Sequence, residues 1–257
     1  MGVMRALITN DDGIGSRGLR VLARAAVTAG LDVTVAAPDS ERSGSGAALS
    51  ALEPGGRLLV AEQPLDGLDG VRAFAVRASP ALIAFVATSG VFGSVPDIVL
   101  SGINHGPNTG QAVLHSGTVG AALTAASHGI PALAISLASP APAHWDAAGA
   151  AAGRALDWFV PRATQPVVAN VNLPDRPADQ LLGFRGARLA AFGAVQAQVL
   201  AVSADPGSGS IPVTFARPAG EPGPDTDLAL LRQGWATVTV LCGLCESDDA
   251  LDLSALG

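Results

Sequence analysis

No lysine occurs in this 257-residue chain, and no tyrosine. Without lysine there is no P-loop, no Schiff-base chemistry and no lysine general base. All fifteen basic residues are Arg, scattered singly, against a formal net charge of −7. That distribution excludes an electrostatic grip on polymeric nucleic acid. The two cysteines, Cys242 and Cys245, form one CxxC pair. A zinc site needs two further ligands, and a redox CxxC opens a helix after a strand, whereas this pair brackets a Gly-Leu turn. The two read as ordinary thiols. No apolar run is long enough to span a bilayer, so no membrane partner is expected. Met1-Gly2-Val3-Met4-Arg5 leads straight into a strand-like run, which leaves no room for a secretory leader and points to the cytoplasm. Charged residues are scarce at 14%, while hydrophobic ones reach 49%. That balance excludes disorder and supports a large packed core.

What is present alternates. Residues 4–9 read as a strand, and Arg17–Ala29 as a helix with Leu19, Leu22, Ala23 and Ala26 on one face. Ser16 suits its N-cap and Gly30 its C-terminal stop. Asp32–Ala37 is a strand, and 38–46 is a loop by composition. Arg57–Val60 and Arg72–Val76 read as short strands. Ser79-Pro80 opens a helix to about Thr88. Asp97–Leu100 is a buried strand, and 101–116 has neither helical nor strand period. Thr118–His128 is a helix, Ala132–Ser136 a strand, His144–Phe159 a helix and Val167–Val171 a strand. This order predicts an α/β fold: a doubly wound, Rossmann-like, mostly parallel sheet with a C-terminal β-hairpin extension. The division is an α/β domain over 1–175, a hairpin extension over 176–241 with Trp235–Leu241 as an exposed strand, and a tail over 242–257.

In such a sheet the loops after successive strands meet at one edge. The first loop carries Asn10, Asp11, Asp12 and Gly13. Adjacent carboxylates repel each other unless a cation or a shared proton compensates, and a hard divalent cation takes oxygen ligands. An Asp-Asp-Gly turn is the plainer alternative for the same residues. The second loop carries Ser43, Ser45 and two glycines. The third runs from Ser101 through Asn104, His105 and Asn108 to His115, Ser116, Gly117 and Thr118, with no carboxylate anywhere between Asp97 and Asp146. It ends where a helix begins, so backbone N–H groups and hydroxyls at Ser116, Gly117 and Thr118 suit an anion; they also suit a simple helix cap. His105 and His115 are surface residues or general acids near neutral pH. A cation on one side and an anion nest on the other suit phosphate-ester hydrolysis: the metal lowers the pKa of a water and polarises a phosphoryl oxygen, with Asp11 or Asp12 as base. No GxGxxG follows the first strand, which disfavours a dinucleotide dehydrogenase. That strand ends Asn-Asp-Asp-Gly rather than Asp-x-Asp, which disfavours a haloacid-dehalogenase-type phosphatase.

These motifs resemble the SurE family (survival protein E) of metal-dependent 5′/3′-nucleotidases. The resemblance lies in Ile8–Ile14, in Ala37-Pro38-Asp39 leading to Arg42-Ser43-Gly44, and in Ser101–Asn104 through Gly106, Asn108 and Gly110 to Ser116–Val119. It returns at Thr226-Asp227 and Leu231–Trp235. It implies one divalent metal ion, Mg²⁺ or Mn²⁺, held by Asp11, Asp12, Ser43 and Asn104, with Asp11, Asp12 and Asn104 as the catalytic set. It implies phosphate contacts from Asn108, Ser116, Gly117 and Thr118; Asn10 is grouped with them. It also implies a small-molecule phosphate ester as substrate and a homodimer or homotetramer built through exchanged C-terminal segments. Two departures stand out. Ala78-Ser79-Pro80-Ala81-Leu82 lacks the acid usual at its end. Ala191–Gln196 is nearly all apolar or small, so base stacking there would rest on Phe192 or a Trp. The alternatives are the same chemistry on a phosphorylated intermediate of specialised metabolism, or a non-catalytic nucleotide-binding protein.

Overall fold

The computed structural model describes residues 2–51, 57–192, 196–199, 213–216 and 221–243. Cys245, the expected tail over 246–257 and most of the Gly- and Pro-rich stretch over 203–226 lie outside them.

Strands β1 (Arg5–Thr9), β2 (Asp32–Pro38), β3 (Val60–Glu62), β4 (Arg72–Val76), β5 (Ile98–His105), β6 (Ala132–Leu137), β7 (Val168–Leu173), β8 (Phe184–Gly186) and β11 (Ala236–Leu241) form one sheet, in the order β3-β4-β2-β1-β5-β6-β7-β11-β8. The six central strands are parallel. β3 and β11 each run antiparallel to their inner neighbours, β4 and β7. A separate antiparallel pair, β9 (Gln196–Val199) with β10 (Val213–Ala216), is the C-terminal hairpin extension.

Parallel strands buried on both faces need helices over each. Helices α1 (Arg17–Thr28) and α4 (Trp145–Phe159) cover one face, over Ala6, Ile8, Val33, Val35, Leu133, Ile135 and Val171. Helices α2 (Pro80–Ala87) and α3 (Gly117–Ser127) cover the other, over Leu7, Ala36, Val76, Val99, Ala132 and Val168. Each strand thus sends alternate side chains into two separate cores. Burying one such Leu or Ile contributes about 1.5–3 kcal/mol. Ser16, Ser79 and Ser116 cap α1, α2 and α3, each through an N–H three residues on. Pro80 sits in the first turn of α2, where its missing N–H costs nothing.

Three expectations change. β5 does not stop at Leu100 but continues to His105, with its register slipping between Ser101 and Asn104. Gly102 hides this from the apolar pattern: its φ of 134° admits few side chains, and a Cβ there would lie 2.2 Å from the Ile135 carbonyl. The strand expected at Arg57–Val60 is displaced to the edge at β3, all three residues of which are exposed. The stretch over 176–241 is not all hairpin. It contains helix α5 (Asp227–Gln233) and then β11, which inserts between β7 and β8 with Ala236, Thr237 and Thr239 buried.

After β1 the chain passes to β2 on one side, while β5 lies on the other. The carboxyl ends of β1 and β5 therefore flank the point where strand order reverses, where open α/β sheets leave a crevice.

Candidate active site

Asp11 stands at that crevice, 4% exposed. Its Oδ1 accepts the hydroxyl proton of Thr118, from the first turn of α3. Its backbone carbonyl accepts the Arg42 N–H at 2.7 Å, which stitches the second loop to the first. Burial, with the charge of Asp12 beside it, pushes the Asp11 carboxyl up to about 6 despite that hydroxyl. Asp12 is raised too. Burial is the main cause, Glu41 adds to it, and His105 opposes it. The His105 N–H donates to Asp12 Oδ2 at 3.2 Å. No Arg among the described residues is paired with either carboxylate. The pair is a concentrated negative charge in a poorly hydrated place.

Asn104 closes the arrangement from the end of β5. Its Nδ2 is spent on the carbonyls of His105 (3.2 Å) and Gly106 (2.8 Å). Its Oδ1 is thereby turned to within 3.3 Å of the Thr118 hydroxyl that also holds Asp11. Ser43 donates its hydroxyl proton to Glu41 Oε1 at 2.7 Å, which leaves its oxygen lone pairs open. These are oxygen donors only, two of them anionic, as a hard divalent cation requires. Among the described residues no group of three or more His, Cys, Asp or Glu could hold a metal, so a cation here rests on the two carboxylates and neutral oxygens.

Gly117 shows how tightly α3 is seated. A Cβ at this position would lie 2.8 Å from both Cβ and Oδ2 of Asp11 and 2.6 Å from Ser45 Oγ. Only hydrogen fits between the helix start and the carboxylate.

Asp11, Ser43, Gly44, Asn104, His105, Asn108, His115 and Ser116 all line one cavity of about 820 Å³. The three strand-end loops do converge. Asp12 does not line it, but its Oδ2 accepts the N–H of His105, which does. Asn10 is fully buried and faces away, its Nδ2 donating to the Gly13 carbonyl (3.1 Å) and Ser16 Oγ (2.7 Å), so it braces the loop and the cap of α1. Ser116 Oγ caps α3 at Val119 N–H, and Thr118 is fully buried with its hydroxyl on Asp11. The far wall is Ala138, Pro140, Pro174, Asp175, Arg176, Leu228, Leu231 and Arg232. Phe192 is not part of it; its carbonyl packs against Gly110 instead.

Several supporting residues escaped the sequence reading. Asp175 accepts the N–H groups of Ala143 and His144 and pairs with His144 Nδ1 at 3.1 Å; burial opposes its ionisation, but these bonds prevail and hold its carboxyl below the ordinary range. Asp227, wholly buried, accepts the N–H groups of Gly110, Ala190 and Leu228 at 2.8–3.0 Å. Asn170, Asn172 and Ser136 hold Asn108. The available signal was Asn at alternate positions of an otherwise apolar strand.

Fold and cavity together define a doubly wound α/β protein with a carboxylate-and-amide cleft at its switch point. Residues 6–195 match the model of survival protein SurE. A 5′-nucleotidase SurE of Methylococcus capsulatus is 39% identical over 243 residues, covering 93% of this chain and 91% of that protein. The 5′-nucleotidase SurE of Aeromonas hydrophila is 36% identical over 242 residues, covering 93% and 92%. The crystal structure of the SurE protein from Aquifex aeolicus matches with a TM-score of 0.74 at 26% identity, covering 95% of each chain. The chain belongs to the SurE family. No helix among its described residues is long and apolar enough to cross a membrane.

Proposed function

We propose that this chain is a cytoplasmic, metal-dependent phosphomonoesterase that hydrolyses nucleoside 5′- or 3′-monophosphates. One observation carries the reading: Asp11 is buried beside Asp12, no Arg among the described residues pairs with either, only the His105 ring comes near Asp12 at 3.9 Å, and Asp11 opens on a cavity that Ser43, Asn104, Asn108 and Ser116 also line. Curated relatives of the same length are named 5′-nucleotidases. Asp11, Asp12, Ser43 and Asn104 would hold one divalent ion, magnesium or manganese. When bound, that ion neutralises the two carboxylates, polarises a phosphoryl oxygen and acidifies the attacking water.

The chain's own residues supply the rest. Thr118 fixes the orientation of Asp11 and favours its charged form. Asp11 or Asp12 takes the proton of the attacking water. Asn104 presents an uncharged oxygen, so the donor set carries no charge beyond the two of Asp11 and Asp12, which a divalent ion balances. Asn108, with Ser116 and Gly117 at the start of α3 beside Asp11, contacts the phosphate. Here the dipole of the helix end favours negative charge. β9–β10 and the rest of 176–241 serve a homodimer or homotetramer, which sedimentation would count.

A second reading changes only the leaving group. No Phe or Trp among the described residues lines the cavity; the far wall offers proline, leucine and two arginines. That favours no flat stacked base and leaves a phosphorylated metabolite in play. Phosphate release should be measured on a panel of 5′- and 3′-nucleotides and sugar phosphates, with magnesium, manganese or chelator. Release from nucleotides that needs metal is the expected result. Turnover indifferent to chelator would defeat the metal reading, and a strong preference for a non-nucleotide would favour the second. Binding of nucleotides without turnover would mark a non-catalytic protein.

A further inference from the structure

β7 is buried on both faces, yet it carries two amides. Ala169, Val171 and Leu173 join the core under α1 and α4. By alternation Asn170 and Asn172 face the other side with Val168, and both are fully buried. Apolar residues would fill this face without desolvating an amide, and an amide buried without partners is costly. Asn172 Oδ1 and both Nδ2 groups bond the main chain of one residue, while Asn170 Oδ1 has no partner among the described residues. Asn172 Oδ1 accepts the Asn108 N–H at 2.7 Å, and Asn172 Nδ2 donates to the Asn108 carbonyl at 2.9 Å. Asn170 Nδ2 donates to that same carbonyl at 2.9 Å. Ser136, which lies opposite Asn172 on β6 and is also fully buried, accepts from Asn108 Nδ2 at 2.8 Å.

Asn108 therefore has both backbone groups and its side chain held by three buried residues of two adjacent strands. Residues 107–109 belong to no helix or strand that could fix them otherwise. We infer that Asn172, with Asn170 and Ser136, is a positioning residue that holds Asn108 in phosphate-contacting geometry. Asn172 supplies the donor–acceptor pair that a neighbouring strand would supply, at a point where no strand continues. Ser136 then selects the side-chain orientation of Asn108. This rests on the phosphomonoesterase reading, in which Asn108 meets the phosphate.

The test is binding of inorganic phosphate to the manganese-loaded full chain, with manganese affinity measured separately in the absence of phosphate. Asn108→Ala should weaken phosphate binding roughly tenfold, as expected for one hydrogen bond to a charged group. Asn172→Leu should weaken it to a similar degree, and the double variant should be no worse than either alone, because both remove one contact. Manganese affinity should stay within about twofold in all of them. Ser136→Ala, a change too small to threaten folding, should weaken phosphate binding about threefold, since it removes only the bond that orients the side chain. Should Asn172→Leu not fold, Ser136→Ala and Asn172→Asp decide; the latter keeps the acceptor for the Asn108 N–H and should bind phosphate more weakly than the parent. Parent-like phosphate binding in these variants, while Asn108→Ala binds weakly, overturns the positioning role and leaves the phosphate reading intact. Additive losses in the double variant also overturn it. Parent-like binding in Asn108→Ala itself overturns the phosphate contact, and the inference with it.

Discussion

Asp11 and Asp97 sit at opposite ends of the same pair of strands. Asp97 directly precedes β5, and Arg5, the first residue of β1, wraps it with its backbone N–H and two guanidinium nitrogens at 2.7–2.9 Å. That Arg holds the Asp97 carboxyl down to about 2. Asp11 follows the other end of β1 and receives the Thr118 hydroxyl and backbone N–H groups but no guanidinium, and burial raises its carboxyl to about 6. The chain therefore neutralises one carboxylate with its own cation and pairs the other with none among the described residues; in the reading proposed above, a cation from outside takes that place. A carboxylate that serves the fold is matched by the fold. One that serves a ligand is left unmatched, and the folded protein carries the cost until the ligand arrives.

Breaking the unmatched end should have the largest effect. Asp11→Ala or Asp12→Ala should lower metal-dependent phosphate release by about 10³-fold or more, since several kcal/mol of transition-state stabilisation go with the cation. Asp97→Ala should leave turnover within about twofold, being remote from the cavity. Equal losses at the two ends would remove the distinction. Next, Gly117→Ala should reduce manganese affinity by about 10–100-fold, the range for disturbing a ligand's immediate support, because its methyl enters the space of the Asp11 carboxylate. A calorimetric titration of manganese measures this directly.

The pH dependence should differ in sign between the two ends. An Asp in an unfolded chain has a pKa near about 3.9. Folded Asp11 lies above that, so between the two values the folded state keeps a proton that the unfolded chain has released. Metal-free protein should then lose stability as pH rises from about 4 to about 6, and Asp11→Asn should lose less of it, the raised carboxyls of Asp12 and Asp227 keeping the rest. Manganese affinity should fall as pH drops below about 6, where a proton competes for the carboxylate. Folded Asp97 lies below the unfolded value. Its stabilisation is present above about 4 and is lost as pH falls toward about 2. The smallest effect should come from Asp97→Asn: a shift of only a few degrees or less in Tm at neutral pH, because the pair is half exposed and screened by water. Scans of Tm against pH for the parent and both Asn variants would show the opposite slopes, or their absence.

The alternation of strands and helices was readable because buried parallel strands are short apolar runs punctuated by Gly, Pro and capping serines. Strand order then brings Asp11, Ser43 and Asn104 to one cavity, since each follows or ends a parallel strand. The continuation of β5 through Asn104 was not readable, because Ser101-Gly102 interrupts the apolar pattern that marks strands. The path of the chain after Pro174 was not readable either. β11 finds β7 across a long separation, and a few alternating residues do not say which edge they will join. Nor does local pattern give direction. Asn10 and Asn104 are both amides at strand ends, but one braces a turn and the other faces the cavity. The duties of Asn172 and Asp227 depend on partners 64 and 117 residues away, which no local window can show.

The place of β11 has a consequence for how the molecule is made. A nascent chain emerges from its N-terminus, so β7 is complete well before β11 exists to cover it. Until then β7 is an open edge with unpaired main-chain groups, able to recruit a strand from another copy. A ribosome that stalls, or a gene truncated, anywhere before residue 236 releases a chain with that edge bare. β11 thus closes the β7 edge against stray strand pairing between unfinished copies.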